Sequence, residues 1–341
     1  MDFSEGDAGA DNNFRAIILF GANVASYKFA LGATLLDLAG NDVEKVTLEE
    51  LAAPFSRHLC DHLADVNVQG TFAHSRFLDA CRHFNFGDIN ETELITATAM
   101  LGFNNVIDAF HVVSGRDVPT RFFVDERKTA RPGIRLTDQM LHLAGQAQAG
   151  NLASEVQGRW NLVERAWESR AASEPLHVLY DRNRELLVPA LLGKRRPITG
   201  ARLALNGYQK GHCFYCYQTI LVVPNSPIPA DVDHVFPYSL MSWGVPYDLD
   251  QVWNLVLACS NCNRGVSGKS ATVPADEYLQ QLHTRNEYLI GSHHPLRETL
   301  LHQTGATPWD RRQFLKRVSK AVDDFGARRG WRPPVVGRAP R

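Results

Sequence analysis

The sequence predicts an α+β protein in which a mainly α-helical N-terminal domain precedes a small metal-stapled domain with flanking helices. Apolar residues recur at three-to-four spacing through the first 175 residues, whereas two Cys-x-x-Cys pairs lie in a later segment rich in aromatic and β-branched residues. The 341 residues are enough for two domains of about 150 residues each. We expect the helical domain over 1–175, the stapled domain over 176–330 and a basic, flexible tail over 331–341.

Composition and charge narrow the class of protein. Hydrophobic residues make up 44% of the chain and charged residues 21%, which excludes a disordered or fibrous protein. No apolar stretch approaches the ~20 residues that span a bilayer, and the acidic N-terminus differs from a secretion signal, so we expect a cytoplasmic protein without a membrane partner. The net charge of −1 combines −9 over residues 1–128 with +8 over the remainder. A basic second half suits contact with a polyanion.

Periodicity predicts the elements that surround the cysteines. Helices are predicted in the N-terminal domain over 24–38, 48–63, 71–84, 91–101, 136–149 and 152–170. Thr47 and Glu50 have the spacing of a capping box, and 117–135 reads as a loop or short hairpin. The sequence of segment 176–192 predicts a helix that connects the two domains. Beyond it we predict strands near 217–223, 228–234 and 252–258, and helices over 274–289, 294–303 and 308–326.

Four of the six cysteines form two pairs, Cys213 with Cys216 and Cys259 with Cys262. Four thiolates complete a tetrahedral zinc site, so this pattern predicts a structural zinc ion. Two disulfides are disfavoured because no secretion signal is present, and a redox Cys-x-x-Cys would not explain a second pair. Cys60 and Cys81 lie in helical patterns and are interpreted as buried apolar residues.

The residues between and after the pairs resemble the HNH nucleases, a family with the ββα-metal fold. The matching residues are Asp233-His234, Asn254 and Asn263, followed by Arg264-Gly265 and Lys269-Ser270. The resemblance covers about 205–275, and its Asp-His pair and Asn-Arg-Gly sequence are especially similar to the HNH domains of RNA-guided DNA nucleases. Asn263 stands where the letter pattern has a third His, and an amide oxygen there still suits a hard ion better than a soft one.

The resemblance implies a role for each of these residues. His234 would be the general base, because a neutral imidazole can accept a proton from water near neutral pH. Asp233 and the amide oxygen of Asn263 would bind a catalytic Mg²⁺ or Mn²⁺ ion. Asn254 would position the loop that carries His234. Neighbours in an extended strand point in opposite directions, so Asp233 and His234 can share a site only if the backbone bends there.

The favoured function is a metal-dependent endonuclease that hydrolyses DNA, by nicking or double-strand cleavage, and the resemblance suggests a bacterial defence or restriction enzyme. Arg264 and Lys269 are candidate phosphate contacts, with solvated surface as the alternative. Further candidates for following the backbone of DNA are Arg195, Arg196, Arg311, Arg312, Lys316, Arg317, Arg328 and Arg329.

Two other interpretations stay open. A zinc module that binds nucleic acid or protein without cleaving it would keep the cysteines, although it would not need the Asp-His-Asn set. RNA is not excluded as the substrate, since discrimination requires a contact to the 2′-hydroxyl. The acidic helical domain is a candidate for binding a protein partner, sensing a signal or self-association.

Overall fold

The computed structural model describes residues 9–20, 24–41, 43–72, 74–146, 148–171, 175–190, 197–223, 226–292 and 294–334. The chain forms two compact units, one being Ala8–Ser173 and the other containing Glu174–Arg341. Helices combine with small sheets, most of them antiparallel, which confirms the predicted α+β class. None of the described helices is long and apolar enough to cross a membrane.

The first unit is mainly helical. Its helices are α1 (Ala10–Phe20), α2 (Tyr27–Ala39), α3 (Leu48–Asp65), α4 (Arg76–Phe86), α5 (Glu91–Leu101), α6 (Val106–Ala109), α7 (Asp138–Ala144) and α8 (Ala149–Ala171). Its strands are β1 (Lys45–Thr47), β2 (Val112–Val113), β3 (Arg116–Asp117), β4 (Phe123–Asp125) and β5 (Gly133–Leu136). Strands pair antiparallel in the order β1-β5-β4, so the predicted loop or hairpin over 117–135 contains a hairpin.

Helix α3 shows how the sequence begins an element in this unit. Thr47 accepts a hydrogen bond from the Glu50 N–H at 3.2 Å, and the Thr47 N–H donates to the Glu50 carboxylate at 2.8 Å. The predicted capping box is confirmed. One apolar face of the helix then packs Leu51, Phe55 and Leu59 into a buried core that draws on all the longer helices of the unit.

The second unit contains the segment that carries the predicted site. Its helices are α9 (Ala201–Gln209), α10 (Ser260–Arg264), α11 (Asp276–Gly291), α12 (Arg297–Thr304) and α13 (Pro308–Asp324). Its strands are β6 (Val178–Asp181), β7 (Leu186–Pro189), β8 (Thr199–Gly200), β9 (Ala230–His234), β10 (Leu255–Cys259), β11 (Val273–Pro274) and β12 (Arg329–Trp331). Strands β9 and β10 pair antiparallel and lead directly into α10, an arrangement of two strands and a helix.

Three predictions for this unit differ from the structure. The strand predicted near 217–223 is replaced by single bridges at Thr219 and Leu221. The segment predicted as a connecting helix over 176–192 forms the antiparallel hairpin β6–β7, and β8 pairs with its second strand. The predicted flexible tail starts at 331, yet Trp331 lies in β12, which pairs with β11, and its indole N–H donates to the Ser267 carbonyl at 2.9 Å. Residues 335–341 of the predicted tail lie outside the described residues.

Candidate metal and catalytic site

The four paired cysteines converge at one place. Cys213 and Cys216 lie in the turn after α9, Cys259 ends β10, and Cys262 lies in α10. Their sulfur atoms all lie within 4.8 Å of one another, and the Cys216 and Cys259 sulfurs are 3.7 Å apart. Metal–sulfur bonds of about 2.3 Å in a tetrahedron place sulfurs about 3.8 Å apart, so the cluster could hold a metal ion such as zinc.

The cluster is enclosed and its thiols are electrostatically linked. Cys213, Cys216 and Cys262 are buried, and Cys259 is partly exposed. Contact with Cys213 holds the pKa of the Cys259 thiol below its ordinary value, whereas contact with the same residue raises the pKa of the Cys262 thiol. The four sulfurs therefore cannot all ionise without a compensating positive charge, which a divalent ion supplies. Cys60 and Cys81 are buried in the first unit, as predicted for apolar residues.

Strand β9 ends at His234 and carries two adjacent residues of the predicted site, Asp233 and His234. His234 pairs with Leu255 and Asp233 with Val256 across the two strands. Asp233, His234, Asn263 and Lys269 all line one cleft with a volume of about 330 Å³. The pairing with β10 runs regularly through Asp233 and His234, and the backbone first bends at Val235. The two residues therefore line the same cleft without the bend that we expected between them.

Asn254 does not line the cleft but holds the loop that follows β9. It is fully buried, and its amide oxygen accepts the Phe236 N–H at 2.9 Å. Its amide nitrogen donates to the carbonyls of Phe236 and Leu249, each at 2.8 Å. Asn254 thus ties the beginning of the loop to its end, next to His234 and Asp250. Its placement agrees with the positioning role that the resemblance implies.

His234 has a carboxylate partner that sequence reasoning missed. Its Nε2 lies 2.7 Å from Oδ1 of Asp250, at the far end of the same loop. An ionised carboxylate accepts a hydrogen, so the proton of a neutral imidazole is held on Nε2 and the lone pair is on Nδ1. Sixteen residues separate the two side chains, and no motif spacing links them. The structure alone identifies Asp250.

Asp233 is buried among polar groups. The Tyr215 hydroxyl donates to Asp233 Oδ2 at 2.6 Å, and the Lys269 ammonium lies 3.4 Å from Oδ1. Burial raises the pKa of Asp233, and Lys269 opposes that rise. Burial also lowers the pKa of Lys269. Tyr215 is a site residue that sequence reasoning missed, because it lies inside the first cysteine pair, where it reads as core.

The two predicted phosphate contacts differ in placement. Lys269 is fully buried and donates to the His234 carbonyl at 2.9 Å, so its charge is directed into the protein instead of toward solvent. This placement contradicts the alternative of a solvated surface residue at Lys269, and its contact with phosphate stays a prediction. Arg264 has a side chain that is 70% exposed and an ion pair with Asp231 at 3.0 Å. Arg264 stays a candidate phosphate contact, provided that this pair opens.

Asn263 also contacts Asp231. Its amide nitrogen donates to Asp231 Oδ2 at 3.2 Å, which makes Oδ1 the acceptor atom of the Asn263 side chain. Asp231 lies two residues before Asp233 in β9, and alternate residues of a strand share a face. This two-residue period is a sequence signal for Asp231 that sequence reasoning missed.

The other basic residues predicted to contact the DNA backbone differ in their burial and in their ion pairs. Arg311 is buried and forms two hydrogen bonds to the Glu287 carboxylate, so its guanidinium is engaged within the protein, and its contact with DNA stays a prediction. The pKa of Glu287 is correspondingly held below its ordinary value by Arg311. Arg329 pairs with Asp323 at 3.0 Å. Arg312, Lys316, Arg317 and Arg328 keep their status as predictions, while Arg195 and Arg196 lie outside the described residues.

No family model matches the sequence, and neither the curated proteins nor the solved structures contain a match to this chain.

Proposed function

We propose that this protein is a metal-dependent endonuclease of the HNH type that hydrolyses DNA, with zinc held by the four cysteines. The observation that carries the proposal is the cleft in which Asp233, His234 and Asn263 meet. Phosphodiester hydrolysis needs a base for water and a cation beside the phosphate. The cleft provides the imidazole of His234, the carboxylate of Asp233 and the amide of Asn263. The cysteine cluster nearby would join β10 and α10 to the turn after α9.

His234 acts as the base in this proposal. With its proton held on Nε2 by Asp250, Nδ1 is the atom that accepts a proton from water. Asn254 fixes the loop that carries both residues and so keeps the imidazole in one orientation. Asp250 and Asn254 are positioning residues, whereas His234 contacts the attacking water.

Asp233 and Asn263 would hold the catalytic ion. Carboxylate and amide oxygens form the donor set that Mg²⁺ prefers, and the ion would stabilise the charge that develops on the departing oxygen. Lys269 already neutralises Asp233, so a divalent cation must compete with its ammonium for the carboxylate. This competition favours metal binding together with the DNA phosphate, which adds negative charge at the cleft.

The second candidate is a zinc module that binds nucleic acid or protein without cleaving it. The buried pairing of Asp233 with Lys269 and Tyr215 favours it, because a carboxylate satisfied within the protein has a structural role without any metal.

The deciding experiment follows the conversion of supercoiled plasmid by the full chain with Mg²⁺, with Mn²⁺ and with no added divalent ion. We expect metal-dependent nicking or linearisation, and at least a hundredfold loss in His234→Ala with unchanged melting and zinc content, since no cysteine is altered. His302→Ala is the matched control, because His302 is an exposed histidine of the same unit that does not line the cleft.

Cleavage by His234→Ala within tenfold of the wild type would remove His234 from the role of base. Absence of cleavage by the wild type with either ion, combined with measurable DNA binding, would favour the non-catalytic module.

A further inference from the structure

The hairpin β6–β7 contributes side chains to the cleft although it lies outside the segment that resembles HNH nucleases. Tyr180, from β6, and Arg182, from the turn that follows, both line the cleft with His234. Helix α12 holds the first strand of the hairpin in place. The Thr299 hydroxyl of α12 accepts the Val178 N–H at 3.0 Å and donates to the Leu176 carbonyl at 3.2 Å. Arg182 thus projects from a supported element.

Aromatic rings connect this turn to the proposed base. The guanidinium carbon of Arg182 lies 4.0 Å from the centre of the Tyr238 ring, a cation–π distance. The Tyr238 ring centre lies 5.2 Å from that of His234, and the Tyr180 ring centre lies 5.9 Å from that of His234. Tyr238 is 42% exposed, so the stacked guanidinium is beside open solvent at the mouth of the cleft.

Arg182 differs from the other charged residues that line the cleft in its ion pairing. Among the described residues that line it, the cations are Arg182 and Lys269, and Lys269 is buried against Asp233. The lining carboxylate nearest to Arg182 in sequence, Glu185, forms an ion pair with Arg202. Arg182 is exposed and has no carboxylate partner within the described part of the chain. Its edge, with several N–H donors, is therefore available to an anion.

We propose that Arg182, whose guanidinium carbon lies over the Tyr238 ring, binds a backbone phosphate of DNA at the cleft and so positions the strand beside His234. This inference rests on the proposed function. A guanidinium stacked on a ring keeps its donor edge open, and that edge matches two phosphate oxygens at once. An ammonium at this position would have the charge without the fixed plane.

The test measures binding of a fluorescent 20-base-pair DNA duplex to the full chain, with no added divalent ion and over a range of salt concentrations. Arg182→Ala should weaken binding about tenfold and reduce the salt dependence by the equivalent of about one phosphate contact. Arg182→Lys should bind between the two, because it keeps the charge and loses the planar stack. Arg184→Ala is the matched control: Arg184 is exposed in the same turn, and it does not line this cleft.

We expect Arg184→Ala to bind within twofold of the wild type. Equal binding by Arg182→Ala and Arg184→Ala, with DNA cleavage by the wild type intact, would overturn the assignment of Arg182 and leave the proposed function standing. A wild-type protein that neither binds nor cleaves the duplex would overturn both.

Discussion

At the scale of single residues, Asn254 shows how one buried amide can organise the loop that follows β9. Its three hydrogen bonds reach Phe236 and Leu249, which lie beside the two members of the His234–Asp250 pair. Each bond contributes about 1 kcal/mol in folded proteins, and an unsatisfied amide in this dry position would cost more. The same contacts that stabilise the loop therefore also fix the distance between the imidazole and its carboxylate.

The buried pair of Asp233 and Lys269 places two charged groups where burial disfavours their charge. Burial disfavours the charged form of each group, raising the pKa of Asp233 and lowering the pKa of Lys269. Each charge offsets part of the desolvation of the other. Removing Lys269 alone would leave a buried carboxylate facing only Tyr215, so its substitution would combine a loss of stability with any loss of activity.

His111, in the first unit, gives a prediction for stability against pH. It is 2% exposed, and its Nε2 accepts the Phe122 N–H at 3.0 Å, which requires the neutral ring. Burial lowers its pKa to about 4 from an ordinary 6.5. Below pH 6.5 the unfolded chain binds a proton at His111, whereas the folded chain binds it only when the pH approaches 4. We expect this residue to contribute a loss of about 3 kcal/mol as the pH falls from 6.5 to 4.

The measurement compares the unfolding free energy of the wild type with that of His111→Gln at pH 7 and at pH 4.5. Glutamine can still accept a hydrogen bond and does not titrate, so the variant should lose less stability on acidification than the wild type does. An identical loss in the two proteins would show that His111 does not titrate on unfolding.

At the scale of elements, the sequence predicted best where chemistry and spacing agree. The two cysteine pairs could be located from spacing alone, and α5 matches its predicted range. The hairpin β6–β7 was missed because its leucines also satisfy helical spacing. Asp181 decides against the helix, since its carboxylate accepts the N–H groups of Asn183 and Arg184 and makes a turn.

Other parts of the site could not be read from the sequence because long-range contacts create them. Helix α9 was missed, since Asn206 and Gly207 weaken its helical signal, and burial against β10 compensates. Thr299 binds the backbone of Val178 in the hairpin, although the two residues are 121 positions apart in the sequence. The placement of Arg182 at the cleft depends on that long-range contact, so local sequence patterns do not predict it.

The cysteine cluster gives a prediction at this scale, because it joins the turn after α9 to β10 and α10. Cys259→Ser should remove one of four ligands, lower the zinc content below one ion per chain and abolish the cooperative melting of the second unit. Cys81→Ser, which alters a buried cysteine outside the cluster, should keep its zinc. The assay combines metal analysis with thermal unfolding. Equimolar zinc and unchanged melting in Cys259→Ser would contradict the metal staple.

At the scale of the whole molecule, the two units have different sources of stability. The unit Ala8–Ser173 contains a large core of buried apolar side chains, from Phe14 to Trp167. The other unit combines apolar residues such as Trp253 and Leu257 with the cysteine cluster. Residues 1–128, which form most of the predicted helical domain, carry a net charge of −9, whereas the remainder carries +8. Partner binding or self-association by that domain stays a prediction.

This difference predicts the response of the full chain to removal of zinc. A strong chelator should abolish hydrogen-exchange protection across Glu174–Arg341, since the energy of metal binding is part of its folding energy. Protection in Ala8–Ser173 should persist, because the buried core of that unit contains no member of the cysteine cluster. Hydrogen exchange followed by mass spectrometry resolves the two regions in one sample, and chelator already saturated with zinc is the control. Simultaneous loss of protection in both units would mean that they fold as one cooperative body, whereas full retention in both would mean that the cysteine cluster does not stabilise its unit through a metal ion.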